Sequence, residues 1–146
     1  MFFMFSKATE YAIRAVIFIA QKGSEEHKLA LPEIAEAIQS PPFFTAKILQ
    51  KLTNGSQLIQ SVRGPNGGFY IRPEKLTWTI REILNIMGEG EMLDKCVLGL
   101  KLCSEINPCP LHEMYKPIKT QLNAMFENKS IGLLVKEMEA GQYFLM

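Results

Sequence analysis

Leu58-Ile-Gln-Ser-Val-Arg-Gly-Pro-Asn-Gly-Gly-Phe-Tyr-Ile71 decides the fold of this 146-residue chain. Its two ends, Leu58 to Val62 and Gly68 to Ile71, have the apolar and aromatic composition of short strands. Arg63-Gly-Pro-Asn-Gly67 between them is turn chemistry, so the stretch predicts a hairpin with Arg63 at its tip. Upstream, Leu31-Pro-Glu-Ile-Ala-Glu-Ala-Ile38 predicts a short helix with Pro32 in its first turn. The break Gln39-Ser40-Pro41 leads to a further helix over about Pro42 to Thr53, with Phe44, Ile48 and Leu52 on one stripe. Two short helices joined by a tight turn are a helix-turn-helix candidate. A first helix over Ser6 to Gln21, capped by Ser6 and stopped by Gly23, carries Ala8, Tyr11, Ala12, Ala15, Val16, Ile19 and Ala20 at helical steps. Three helices and then a hairpin predict a winged helix-turn-helix, whose third helix enters the major groove of DNA while the hairpin reaches the neighbouring minor groove or backbone.

Working outward, the C-terminal half predicts a helix over Leu76 to Met87 with Thr79 as a cap. An aperiodic segment follows from Asp94 to Pro110. A longer helix covers His112 to Glu127 with Met114, Ile118, Leu122 and Met125 on one side, and a last helix runs from Ile131 to Ala140 behind Ser130. The expected fold class is mostly α with a small β hairpin, divided into residues 1–75, the DNA-binding unit, and residues 76–146, a loop with dimerization helices. A chain with 47% hydrophobic and 21% charged residues is neither disordered nor a disulfide scaffold. The most apolar run, Ala15 to Ala20, lies between Arg14 and Lys22 and is too short to span a membrane. The start MFFMF lacks the basic segment and cleavage site of a secretory leader, so a cytoplasmic location is expected. Charge divides unevenly: residues 1–75 hold nine Lys and Arg against six Glu, and residues 76–146 hold seven against nine acids. The basic half is the one with the hairpin, which is permissive for nucleic acid.

All three cysteines, Cys96, Cys103 and Cys109, fall in the aperiodic segment at spacing C-x6-C-x5-C, with His112 close behind. Thiolates and an imidazole gathered on one loop suit a soft metal or an iron-sulfur cluster, and an odd count argues against a structural disulfide set. The spacing differs from the paired CxxC of zinc ribbons, yet a Cys3His zinc site and unmetallated, redox-active thiols stay open alongside the cluster.

Ser6-Lys-Ala-Thr-Glu-Tyr-Ala-Ile-Arg14, Val62-Arg-Gly-Pro-Asn-Gly-Gly-Phe-Tyr70, Cys96-Val-Leu-Gly99, Cys103 and Pro108-Cys-Pro-Leu-His112 together resemble the bacterial regulators of the IscR/NsrR-like (Rrf2) family, over almost the whole chain. The resemblance implies a homodimer, joined by the helix over His112 to Glu127, that binds a palindromic operator in double-stranded DNA. It implies an iron-sulfur cluster on Cys96, Cys103 and Cys109 that alters DNA affinity. The fourth ligand would be His112, favouring [2Fe-2S], or Glu10 from the other subunit, for which [4Fe-4S] is possible. Phe43 and Ala46 stand where some relatives place polar base-reading groups, and the first cysteine gap is one residue longer than in some members.

On this reading Lys47 and Gln50 face base edges or phosphates, Lys51 and Lys7 face phosphates, and the Arg63 guanidinium enters the minor groove. The expected function is transcriptional regulation, as a repressor. The competing readings are a cluster-free or zinc-bound regulator of the same fold that answers to a partner protein, and a small iron-sulfur redox protein. No catalytic triad, phosphate-binding glycine loop or carboxylate pair is recognisable, so no enzymatic activity is expected.

Overall fold

Helix α1 (Lys7–Lys22) starts where expected because the Ser6 hydroxyl accepts from the Thr9 backbone N–H at 3.2 Å. It ends with the Gly23 N–H on the Ile19 carbonyl. The computed structural model of the chain describes residues 4–55 and 57–145; Met1, Phe2 and Phe3 of the apolar start, Ser56 and Met146 lie outside them. One face of α1, including Ala12, Ala15, Val16 and Ile19, is wholly buried. Helix α2 (Leu31–Ala37) follows, with Pro32 in the first turn, where its missing N–H costs nothing. The chain reverses through Gln39, which takes a left-handed φ of 55°. Helix α3 (Pro42–Thr53) then opens on a second proline, and both the N–H and the hydroxyl of buried Thr45 donate to the Pro41 carbonyl. Ile48, Leu49 and Leu52 are its inward side.

The hairpin is present as β1 (Gln60–Val62) and β2 (Gly68–Tyr70), antiparallel, with Gln60 opposite Tyr70, Ser61 opposite Phe69 and Val62 opposite Gly68. Leu29 adds a single bridge to it, exchanging both backbone hydrogen bonds with Phe69 at 2.9 and 2.8 Å. Two glycines make this crowding possible. A Cβ on Gly67 would lie 2.1 Å from the Val62 carbonyl oxygen, and one on Gly68, whose φ is +145°, would lie 2.6 Å from the Leu29 carbonyl oxygen.

The helix expected over Leu76 to Met87 is broken in two. A 3-10 turn covers Pro73–Thr77, Trp78 is extended, and α4 (Ile80–Ile86) begins only after Thr79. The backbone at the break is used elsewhere: the Trp78 carbonyl accepts from the Ile131 N–H at 2.7 Å and Thr79 bridges Ser130. The helix restarts through a capping box in which the Glu82 carboxylate accepts from the Thr79 N–H at 2.7 Å. A second 3-10 turn at Gly90–Leu93 precedes the aperiodic loop. Helix α5 (His112–Glu127) has the expected bounds and carries Pro117 inside it. Helix α6 (Ile131–Glu139) starts behind Ser130, whose hydroxyl accepts from the Leu133 N–H.

A single apolar core joins the two halves of the chain. It contains Ile48, Leu49 and Leu52 of α3, Leu58 and Ile59 before the hairpin, and Ile83, Leu84, Leu93, Phe126 and Ile131 from beyond residue 75. α6 packs along α1, and Phe5 meets Phe126 edge to face at 5.5 Å. Each fully buried Leu or Ile in such a cluster contributes about 1.5–3 kcal/mol.

A polar clasp closes the other side of α1. The Glu89 carboxylate accepts from the Ser6 N–H at 3.1 Å and the Ser6 hydroxyl at 3.0 Å. Burial alone would raise the Glu89 pKa, but hydrogen bonds from the Thr9 side chain and from the Ser6 backbone and hydroxyl outweigh it and hold the carboxyl below its ordinary 4.5. A depressed carboxylate contributes stability above its unfolded pKa and loses it as pH falls through the folded value. Glu89→Gln is therefore expected to cost about 1 kcal/mol at neutral pH, reduced from a buried charged hydrogen bond by solvent screening. Urea unfolding of both proteins should show that difference at pH 7 and a smaller one at about pH 4, where the charge contribution of a depressed carboxylate is already being lost. An equal loss at both pH values would show that the carboxylate charge is not what holds the clasp.

Candidate functional site

Burial of Ile48, Leu49 and Leu52 turns the opposite side of α3 outward, so Lys47, Gln50 and Lys51 are all exposed. The Lys47 ammonium stands 4.6 Å above the Phe43 ring, itself 73% exposed, an arrangement that holds a cation over an aromatic face. Between α3 and the hairpin runs a groove of about 520 Å³, and Gln50 and Arg63 both line it. The structure thus brings together a helix residue and a wing residue separated by thirteen positions in sequence. Asn54, Gln57 and Ser61 line the same groove. Asn54 and Gln57 lie outside every element that the sequence predicts and Ser61 lies inside a predicted strand, so their polarity beside apolar Leu58 and Ile59 is the available signal. Lys7 lies in the first turn of α1 with its Nζ 3.5 Å from Glu10 Oε1, and it is not among the residues that line the groove.

The second constellation is the loop from Asp94 to Leu111. Here the four residues singled out by type fall into two pairs. The Cys96 thiol donates to Cys109 Sγ at 3.7 Å, and Cys103 Sγ lies 3.6 Å from His112 Nδ1. Cys96 and His112 are buried, while Cys103 and Cys109 are half-buried, and all three thiols are free. The His112 N–H donates to the Cys109 carbonyl at 3.0 Å, so the first residue of α5 is folded back onto the third cysteine. His112 Nε2 is buried without a hydrogen-bond partner. The Leu98 backbone N–H lowers the Cys96 thiol pKa against the opposing effect of burial, helped by Leu100, Cys109 and Lys119. Among the described residues, no three His, Cys, Asp or Glu side chains converge as a single-ion cage. Glu10 sits apart on α1, with its Oε1 buried and lacking a hydrogen bond.

The loop is anchored to the helices by polar contacts at its start. Arg81 of α4 contacts Asp94 through Nη2 at 2.6 Å and, through Nη1, Asn123 at 2.7 Å and Glu127 at 3.4 Å. Asn123 donates to the Leu93 carbonyl at 3.0 Å, and Lys119 to the Asp94 carbonyl at 2.7 Å. Further along, Lys116 pairs with Glu105 and thereby lowers the Glu105 pKa.

Residues 5–137 match the sequence pattern of the Rrf2 family, described as iron-dependent transcriptional regulators. The chain belongs to the Rrf2 family. A protein of Aquifex aeolicus (strain VF5) named as an HTH-type transcriptional regulator is 30% identical over 134 residues, covering 90% of this chain and 91% of its own. The HTH-type transcriptional regulator IscR of Escherichia coli is 24% identical over 129 residues, 88% of this chain and 78% of IscR. Among solved structures, CymR of B. subtilis superposes with a TM-score of 0.72 at 19% identity, covering 92% of this chain and 98% of CymR. T. potens IscR gives 0.71 at 17% identity, covering 99% of this chain and 94% of IscR. These two likenesses show the winged-helix fold. This Rrf2 chain is a DNA-binding transcriptional regulator, and the family's members are not enzymes. Among the described residues no helix is long and apolar enough to cross a membrane.

Because Arg81 ties α4 to both the loop start and α5, Arg81→Met should loosen all three. The expected loss is about 1–2 kcal/mol of stability, from charge-assisted hydrogen bonds at a partly exposed site. Hydrogen exchange should rise at the amides of residues 93–96 more than in α3. Unchanged protection there would remove Arg81 as the anchor.

Proposed function

We propose that this regulator is a homodimeric repressor whose affinity for a palindromic operator is set by an iron-sulfur cluster on Cys96, Cys103, Cys109 and His112. The observation that carries the reading is the pairing of Cys96 with Cys109 and of Cys103 with His112 on one loop. The donor set fits such a group: three free thiols and an imidazole with an unpartnered buried nitrogen are soft and borderline ligands gathered where the backbone is irregular. Three thiolates and one imidazole favour [2Fe-2S]. Bound there, the cluster supplies a group whose redox state or loss changes how the loop is held.

The rest of the mechanism lies in the chain's own residues. The loop begins at Asp94, held by Arg81, and ends at His112, the first residue of α5. Displacement at either end acts on α4 and α5, which share the core with α1 and α3. Tyr11 of α1 meets Phe44 of α3 edge to face at 5.8 Å, a direct contact with the reading helix. A coupling of about 1–3 kcal/mol along this route changes affinity roughly 5- to 150-fold. Lys47, Gln50, Lys51, Lys7 and Arg63 form the DNA face, with residues 1–75 reading and residues 76–146 sensing and pairing. Homodimerization is supported by Met114, Ile118 and Met125, which α5 leaves exposed on one side. The site of action is the cytoplasm.

Anaerobic purification with iron, sulfide and zinc quantitation tests the cluster. Iron with equal sulfide is expected in the wild type, with altered visible absorption in His112→Ala and none of that change in Glu10→Ala. A change confined to Glu10→Ala would transfer the fourth position to Glu10, and zinc alone would overturn the cluster. For the DNA face, Arg63→Ala should weaken operator binding and reduce the slope of log affinity against log salt by about 1 if the guanidinium neutralises one phosphate. An unchanged affinity would remove the wing from the interface.

A further inference from the structure

We infer that, in the cluster-free chain, Cys96 and Cys109 are a disulfide-forming pair that a hydroperoxide oxidises, while Cys103 stays a thiol. This goes beyond cluster binding, because it assigns the same loop a second chemistry that requires no metal. The sulfurs stand 3.7 Å apart, so a bond of about 2.05 Å requires an approach of about 1.7 Å. The backbone between them has no helix or strand to resist such a rotation: Gly99 turns at φ 76°, its N–H on the Cys96 carbonyl at 2.9 Å, and Val97, Leu98, Leu100, Leu102 and Ile106 are all exposed. Cys103 instead faces the His112 ring.

Exposure sets the order of events. Cys109 is half-buried and open to the oxidant, while Cys96 is buried beneath it, 6% exposed. Cys109 sulfur attacks the peroxide, the O–O bond breaks, and Cys109 becomes a sulfenic acid as water or an alcohol leaves. Cys96 sulfur then attacks Cys109 sulfur; the S–S bond forms, the S–O bond breaks, and the departing hydroxide takes the Cys96 proton as water. Two thiols lose two electrons and one hydroperoxide gains them. The oxidised loop keeps only Cys103 and His112 as free donors, so disulfide formation and metal ligation by all three cysteines exclude one another.

The test uses the full chain, stripped of iron by a chelator, reduced, and titrated anaerobically with hydrogen peroxide. Free thiols counted under denaturing conditions should fall from three to one, and peptide mass mapping should find a Cys96–Cys109 link within one chain. Cys103→Ser should go from two thiols to none at the same peroxide dose. Cys96→Ser should accumulate a dimedone-reactive sulfenic acid at Cys109. A link through Cys103, a link between two chains, or three thiols surviving stoichiometric peroxide would each overturn the inference. Iron and sulfide content reads the cluster proposal and the thiol count reads this one, so either can fail while the other stands.

Discussion

The buried face of α1 is the constraint on which the other elements depend. Ala12 and Ala15 are small enough to let neighbouring helices come close, and Val16 and Ile19 fill the space on either side. α3, which presents Lys47, Gln50 and Lys51 to solvent, and α6, which belongs to the far half of the chain, both rest on this one helix. Ser6 and Glu89 fasten its beginning, and Phe5 carries the packing on to Phe126 of α5. A displacement in the C-terminal half therefore reaches α3 through packed side chains and not through a flexible linker, and close-packed interiors transmit such displacements.

The polar contacts are distributed differently from the apolar ones. The core is shared, whereas the cysteine loop is tied to the helices by polar contacts: Arg81, Asp94, Lys119 and Asn123 at its start, Lys116 and Glu105 further along. The loop between is held by few contacts and exposes several large apolar side chains. Polar anchors at the ends leave the cysteine-bearing middle outside any helix or strand.

Much of this arrangement was legible in the sequence where local chemistry decides conformation. Ser6, Thr79 and Ser130 announce helix starts, and Gly67 with Gly68 announces a turn, because those side chains act on their immediate neighbours. The hairpin followed from the same chemistry. The helix over Leu76 to Met87 misled because Leu76 falls on the right period, while the residues that interrupt it do so through Ser130 and Ile131, more than fifty positions away. Leu29 is silent in the sequence for a related reason: a single bridge to Phe69 has no periodicity to reveal it. In the candidate site, residue type pointed to Cys96, Cys103, Cys109 and His112 together. Which sulfur faces which is a property of the folded loop, and spacing carries no record of it.

The Leu29–Phe69 bridge ties the wing to the segment leading into α2 through backbone groups, alongside buried Tyr70 and Ile71. Lys47, Gln50 and Arg63 are exposed and absent from the apolar core. Replacing them leaves the scaffold's packing untouched. The scaffold therefore tolerates change at these exposed positions that it does not tolerate on the buried face of α1 or at Gly67 and Gly68.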